Sequence, residues 1–364
     1  MQRHGRDACR EGIGLDPSPS TCSRSSFDEI PLVDFDLQPP PPVQPPTIAR
    51  FTWSTIVWPM IGVAAVVFSL WLLFREVRGL SFTDVEESIL AISSGRWMLA
   101  VLSTLVAYMA LAWYDRIALS HLGFKLPWGF ISAVSFTTYA LSHNIGMSMF
   151  SGAMVRYRAY STKGLTLSEV GVLVAFCSFT FALGTALLGG LVFVIEPNIL
   201  ARLFHLSDTS VRLIGCGLLA FVALYVIGSA LNLRPLQIGT FKLVYPRLNI
   251  TMRQLIAGPL ELLGAAGIIY CALPVTDNPG FLIILGVFLA SFSAALLSHA
   301  PGGLGVLELV FVTALPDIAK ADILAALLVF RLLYLIAPLA FGIIAVILFE
   351  RSRLTKATDP KAAG

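Results

Sequence analysis

VLVAFCSFTFALGTALLGGLVFVI, residues 172–195, decides the fold. These 24 residues hold no charged side chain. As a helix they would reach about 36 Å at ~1.5 Å per residue, enough to cross a hydrocarbon core of ~30 Å. The run is apolar on every face, so it is not a surface helix with one buried stripe. It is also continuous, whereas a barrel strand would alternate apolar and polar residues over about 10 positions.

Working outward, further apolar runs occupy about 55–74, 97–119, 211–232, 251–273, 280–298 and 321–349. Over all 364 residues, 56% are hydrophobic and 13% charged, and the mean hydropathy is +0.80. A water-soluble domain could not keep that balance off its surface, so the chain is solvated by lipid. The fold expected is all-α: a polytopic membrane protein of about eight transmembrane helices, with re-entrant or broken helices near 127–160 and 299–316. The eighth crossing is the short apolar stretch that ends at Leu315.

Three parts are expected. Residues 1–50 form a disordered, Pro-rich cytoplasmic tail containing PPPPVQPP (39–46), residues 51–350 the membrane domain, and residues 351–364 a short basic cytoplasmic tail. The first apolar run follows some fifty polar residues, so no signal peptide is expected and the first span inserts itself. Phe82–Ser94 is short and amphipathic, with Asp84, Glu86 and Glu87, and is expected on the surface. The connection from Leu233 to Arg253 carries Arg234, Lys242, Arg247 and Arg253 without an acid, and the tail carries Arg351, Arg353, Lys356 and Lys361. Both are expected to be cytoplasmic, which places both termini inside a bacterial inner (cytoplasmic) membrane.

Charge and cysteine usage remove several classes. A net charge of +3, dispersed between spans, gives no polyanion-binding patch, so no nucleic-acid partner is expected. Cys177, Cys216 and Cys271 lie in apolar runs and Cys9 and Cys22 in the tail, without metal or disulfide spacing, so they read as reduced packing residues. No P-loop, HExxH or dinucleotide fingerprint is present, and no cofactor or metal is expected.

The chemistry concentrates where the apolar pattern breaks. SHNIGMSMFSG (142–152) runs into RYRAYSTKG (156–164), and SHAPGGLGVLE (298–308) opens a short helix. Broken helices leave amides and carbonyls that lipid cannot satisfy, so they must face protein or a wet cavity. Gly302, Gly303 and Gly305 could present amides to a phosphate oxygen, or serve only as a hinge. Arg156 and Arg158 could bind phosphate, or simply anchor at the interface. Glu261, Glu308 and Arg331 are ionisable residues inside apolar runs, where each is functional or paired. Glu308 and Arg331 are expected to pair with one another. Glu261, lacking a local partner, is the candidate to meet a cationic headgroup. His143 and His299 each precede a break and are expected to hydrogen-bond it. A hydrolytic Ser148/His299 pair is the remote alternative, since GMSMFSG is not a nucleophile elbow.

With WYDRIALSHLG (113–123) and FRLLYLIAPLAFG (330–342), these segments resemble the amino-terminal membrane region of the bifunctional lysylphosphatidylglycerol synthetase/flippase family, from about Trp53 to Glu350. The resemblance implies movement of an aminoacylated phosphatidylglycerol from inner to outer leaflet. It marks Arg156, Tyr157 and Arg158, Gly302, Gly303, Gly305 and Glu308, and Arg331, Tyr334 and Pro338, with Asp115 as a further position. Asn144, beside His143, is a supporting candidate. No synthetase domain follows the matching segments, so the chain is expected not to be a lysyltransferase. Its expected partners are the bilayer, an aminoacylated phosphatidylglycerol, and a separate synthetase domain or a second copy. The competing readings are a small-solute transporter, a membrane enzyme acting on lipid carriers, and a platform for a separate synthetase.

Overall fold

The computed structural model describes residues 82–145, 148–198, 206–231, 236–238, 241–243, 246–276, 278–298, 303–345 and 347. The expected first span (55–74), both tails, His299 and Gly302 lie outside these residues. The described chain is all-α apart from one small hairpin. Helix α1 is Phe82–Leu90, α2 Ser94–His121, α3 Trp128–Ile145, α4 Ser148–Tyr160, α5 Leu167–Ile195 and α6 Asp208–Ala230. Strands β1 (Leu236–Ile238) and β2 (Phe241–Leu243) pair antiparallel, with Gln237 opposite Lys242. Then come α7 (Leu248–Ala272), α8 (Phe281–Leu297), α9 (Val306–Ala314) and α10, which runs from Lys320 to Ala345 and includes a π-helical segment, Arg331–Ile336.

Five helices among the described residues are long and apolar enough to cross a membrane: α2, α5, α6, α7 and α10. The expected crossing at 280–298 is α8, a shorter apolar helix of 17 residues. The expected break near 127–160 is a helical hairpin, α3 against α4, and the one near 299–316 leaves α9 as a nine-residue helix. The expected surface helix is α1, largely exposed and packed against α10.

Helix α7 is the axis. Its residues from Ala257 to Ile269 are almost continuously buried, and it packs against α2, α5, α6, α8 and α10. Because lipid tails compete equally for apolar side chains, helices in a membrane associate through close backbone packing rather than hydrophobic burial. The glycines supply that closeness. A Cβ on Gly258 would stand 2.8 Å from the Thr180 carbonyl oxygen and 2.9 Å from the Gly184 Cα, so α5 and α7 cross backbone to backbone. On the α2 side, a Cβ on Gly264 would stand 2.8 Å from the Ser103 carbonyl oxygen.

Polar clips reinforce these crossings. Tyr225 on α6 donates to Gln254 on α7 (2.8 Å), which donates to Thr180 on α5 (2.9 Å). At the C-terminal end of α7, Arg96 donates from Nε to the Cys271 carbonyl and from Nη2 to the Tyr270 carbonyl, both at 2.8 Å. A cation there also complements the negative end of the helix dipole. Helix α5 starts at a reciprocal cap, with the Thr166 amide donating to Glu169 (2.7 Å) and the Glu169 amide to Thr166 Oγ1 (3.3 Å).

The π segment of α10 has a sequence cause. Pro338 lacks an amide hydrogen and cannot bond the carbonyl four residues back, that of Tyr334. That carbonyl accepts instead from the Tyr108 hydroxyl on α2 (2.9 Å), and the neighbouring Leu335 carbonyl accepts from Asn144 Nδ2 on α3 (3.1 Å).

The packing argument predicts a contrast between two glycines. Gly258→Ala forces a methyl into opposing backbone and should destabilise by about 1–3 kcal/mol. Gly189→Ala, whose Cβ would meet only Leu218 Cδ1 at 3.9 Å, should be neutral or slightly stabilising. Thermal unfolding of the two purified variants in detergent separates them.

Candidate functional site

Two buried polar centres meet at one cavity. The first joins the α3–α4 hairpin to the rest of the molecule. Arg156 on α4 is 4% exposed and donates to Asp115 on α2, fully buried, through Nη2 to Oδ1 (2.7 Å) and Nε to Oδ2 (3.2 Å). Tyr160, one turn after Arg156, donates to Asp115 Oδ2 (2.8 Å), and the Cys177 thiol on α5 lies 3.5 Å from Oδ1. The guanidinium sits 4.8 Å from the centre of the Tyr139 ring on α3. A forked guanidinium on a carboxylate with further donors is the arrangement that makes a buried ion pair tolerable. Gly152 lets α4 approach α3 beside this pair: a Cβ there would stand 2.7 Å from Ser142 Oγ and 3.3 Å from Thr138 Cγ2.

The second centre is Glu261, in the middle of α7 and 2% exposed. Its Oε1 accepts from the Tyr334 hydroxyl in the π segment at 2.5 Å. Its Oε2 is buried and has no hydrogen-bond partner among the described residues. The His143 ring stacks on Tyr334, with centres 5.3 Å apart, and His143 Nδ1 is likewise buried without a partner among the described residues.

Between the centres lies a cavity of about 250 Å³, lined by Tyr114, Tyr139, His143, Arg156, Glu261 and, on its apolar side, Phe181, Phe292 and Leu296. Its lining therefore combines one neutralised ion pair, a carboxylate and an imidazole that each keep one buried atom without a hydrogen-bond partner among the described residues, and a greasy wall.

The expected residues divide against this geometry. Arg156, Glu261 and His143 line the cavity, and Asp115 and Tyr334 hold two of them in place. Asn144 does not line it. It ties α3 to the π segment through Leu335, and it also donates to Ala140 (2.8 Å). The expected Glu308–Arg331 pair forms, at 2.5 Å from Nη2 and 3.0 Å from Nε, but between α9 and α10 and outside the cavity lining.

Glu308 Oε2 accepts the Gly305 amide (2.9 Å), which corrects one expectation. The amide that was to meet a phosphate oxygen at Gly305 caps its own helix instead. Gly303 and Gly305 adopt φ of +65° and +79°, the left-handed region that turns the chain sharply into α9. Tyr157 and Arg158 are exposed and do not line the cavity, because helical spacing puts them off the face that carries Arg156.

Tyr160, Tyr139, Tyr114 and Tyr108 are the residues that sequence reasoning missed. The signal for Tyr160 was present: it lies four residues after Arg156, hence on the same helix face. The tyrosines of α2 and α3 carry no comparable mark.

The fold and the cavity define a multi-pass α-helical membrane protein with a small, partly polar cavity among its broken helices. The chain belongs to the lysylphosphatidylglycerol synthase TM region family, which matches residues 60–342. It is 30% identical over 291 residues to the uncharacterized protein slr0712 of Synechocystis, covering 80% of this chain and 90% of that one. It is 33% identical to the inner membrane protein YbhN of Escherichia coli over 69% of this chain and 79% of that one. A phosphatidylglycerol lysyltransferase of Staphylococcus aureus is 25% identical over 82% of this chain but only 34% of its own length.

A buried pair broken on one side leaves an uncompensated charge. Asp115→Ala and Arg156→Ala should each destabilise by about 3–5 kcal/mol, and the double variant by clearly less than the sum. Thermal unfolding of the three variants measures the coupling, and additive losses would mean that the pair is not formed in the membrane.

Proposed function

We propose that the chain moves an aminoacylated phospholipid, lysylphosphatidylglycerol or a close relative, from the inner to the outer leaflet of the cytoplasmic membrane. The observation that carries this reading is the Glu261 carboxylate, buried at the cavity with one oxygen that has no hydrogen-bond partner among the described residues. A lysyl headgroup brings ammonium groups and one phosphate. Glu261 meets an ammonium, and the aromatic walls of Tyr114 and Tyr139 suit the same charge. Glu308 is not the alternative, because both its oxygens are engaged.

Arg156 has Nε and Nη2 committed to Asp115, so it orients the phosphate beside an ion pair rather than as a bare cation. At about 250 Å³ the cavity is smaller than the ~300 Å³ at which small-molecule sites begin. It takes the aminoacyl arm while the acyl chains stay in lipid. Exported cationic lipid would make the outer leaflet less negative and weaken its attraction for cationic antimicrobial peptides.

A second reading draws on the lysyltransferase relative, in which the matching region is a third of a longer protein: the chain is a platform for a separate synthetase. Cells given a separate synthetase, with or without this chain, distinguish the two when outer-leaflet lysyl lipid is labelled by an impermeant amine reagent. Translocation predicts a larger labelled fraction at constant total lipid, lost in Glu261→Ala. The platform predicts an unchanged fraction with co-purification of the synthetase.

A further inference from the structure

Resting on that reading, we infer that Glu261 and His143 form a proton-exchange site: the ammonium of the lipid displaces a proton from Glu261, so outward passage of each headgroup is coupled to inward passage of one proton. The geometry behind this is the pair of orphaned titratable atoms in a lining that also holds the unpartnered Ser142 Oγ. Glu261 Oε2 and His143 Nδ1 are both buried without hydrogen-bond partners among the described residues, and the two residues line the same cavity and are held against Tyr334. Every other polar group that faces Glu261 is spoken for or neutral. Tyr334 from α10 donates to its Oε1, and Tyr114 from α2 donates to the Gly258 carbonyl (3.3 Å). Arg156 from α4 is neutralised by Asp115, and the Cys177 thiol from α5 leans on that same carboxylate. Tyr139 from α3 lies under the guanidinium, and the α8 wall is apolar. Glu261 and His143 therefore set the charge of the cavity by themselves.

An isolated carboxylate at membrane depth is not left bare: it holds a proton or a cation. With the cavity empty, Glu261 carries the proton on Oε2. When the lysyl ammonium arrives, the proton moves to His143 Nδ1 or to cavity water and leaves, and the ammonium replaces it one charge for one. After the lipid is released on the far side, a proton from that side returns to Oε2. The lipid, with two ammonium groups and one phosphate, carries one net positive charge, so a one-for-one exchange moves no net charge. The lipid accumulates in the leaflet facing the more acidic compartment.

The test uses the full chain in proteoliposomes containing lysylphosphatidylglycerol, with a pH-sensitive dye in the lumen, the voltage clamped by potassium and valinomycin, and protein-free vesicles as the baseline. An imposed gradient of about one pH unit should enrich the lipid on the acidic side by up to about tenfold, with dye-reported proton movement in the opposite sense. Changing the clamped voltage should leave the distribution unaltered. Glu261→Gln keeps the acceptor for Tyr334 but cannot exchange a proton, so it should lose the response to the gradient. Wild-type-like thermal unfolding of this variant in detergent shows that the fold around the cavity is kept. Protein-dependent equalisation of the leaflets that ignores the gradient overturns the exchange and leaves translocation standing. Absence of any protein-dependent movement overturns both.

Discussion

The Asp115–Arg156 pair is the constraint on which the site depends. It closes a link of 41 residues between a long spanning helix and a short one too brief to cross by itself. Opposite charges at this depth are costly apart and tolerable only together, with Tyr160 and Cys177 completing the carboxylate's contacts. The pair thus fixes where α4 sits. Because α3 packs against α4, it fixes Tyr139, Ser142 and His143 as well, which make up one wall of the cavity.

The opposite wall is built by a different rule. Helix α7 reaches the centre because glycines let α2 and α5 approach its backbone, and this leaves Glu261 only 2% exposed, in the lining of the cavity. Proline then shapes the last element. Pro338 opens α10 into a π segment, and the displaced carbonyls are caught by Tyr108 and Asn144. The same distortion presents the Tyr334 hydroxyl to Glu261. π-bulges recur at functional sites because they re-aim side chains that a regular helix would hide. Here one residue bonds the carboxylate, stacks on His143 and faces Phe330 at 5.1 Å.

Much of this was legible in the sequence and some was not, for physical reasons. Continuous apolar runs gave α2, α5, α6, α7 and α10 to within a few residues, since length and composition alone decide whether a helix suits a bilayer. The two glycine-interrupted segments located the broken helices. The Glu308–Arg331 pair followed from two unlike charges on neighbouring segments at similar depth. The Asp115–Arg156 pair did not: its members lie on helices whose packing no local pattern specifies, and Arg156 read as either a phosphate ligand or an interfacial anchor. Gly305 likewise read as a free amide because the sequence does not show the Glu308 side chain folding back onto it. The two acids differ in the fold: both Glu308 oxygens are engaged, whereas Glu261 Oε2 has no hydrogen-bond partner among the described residues.

The most direct test of the account is a map of the protein in nanodiscs containing lysylphosphatidylglycerol, compared with one in phosphatidylglycerol alone. Headgroup density between Glu261 and Arg156 that is present only with the aminoacylated lipid is the predicted result. An unchanged cavity, with the aminoacylated lipid bound elsewhere on the protein, would contradict the central claim that this carboxylate is the site's recognition element.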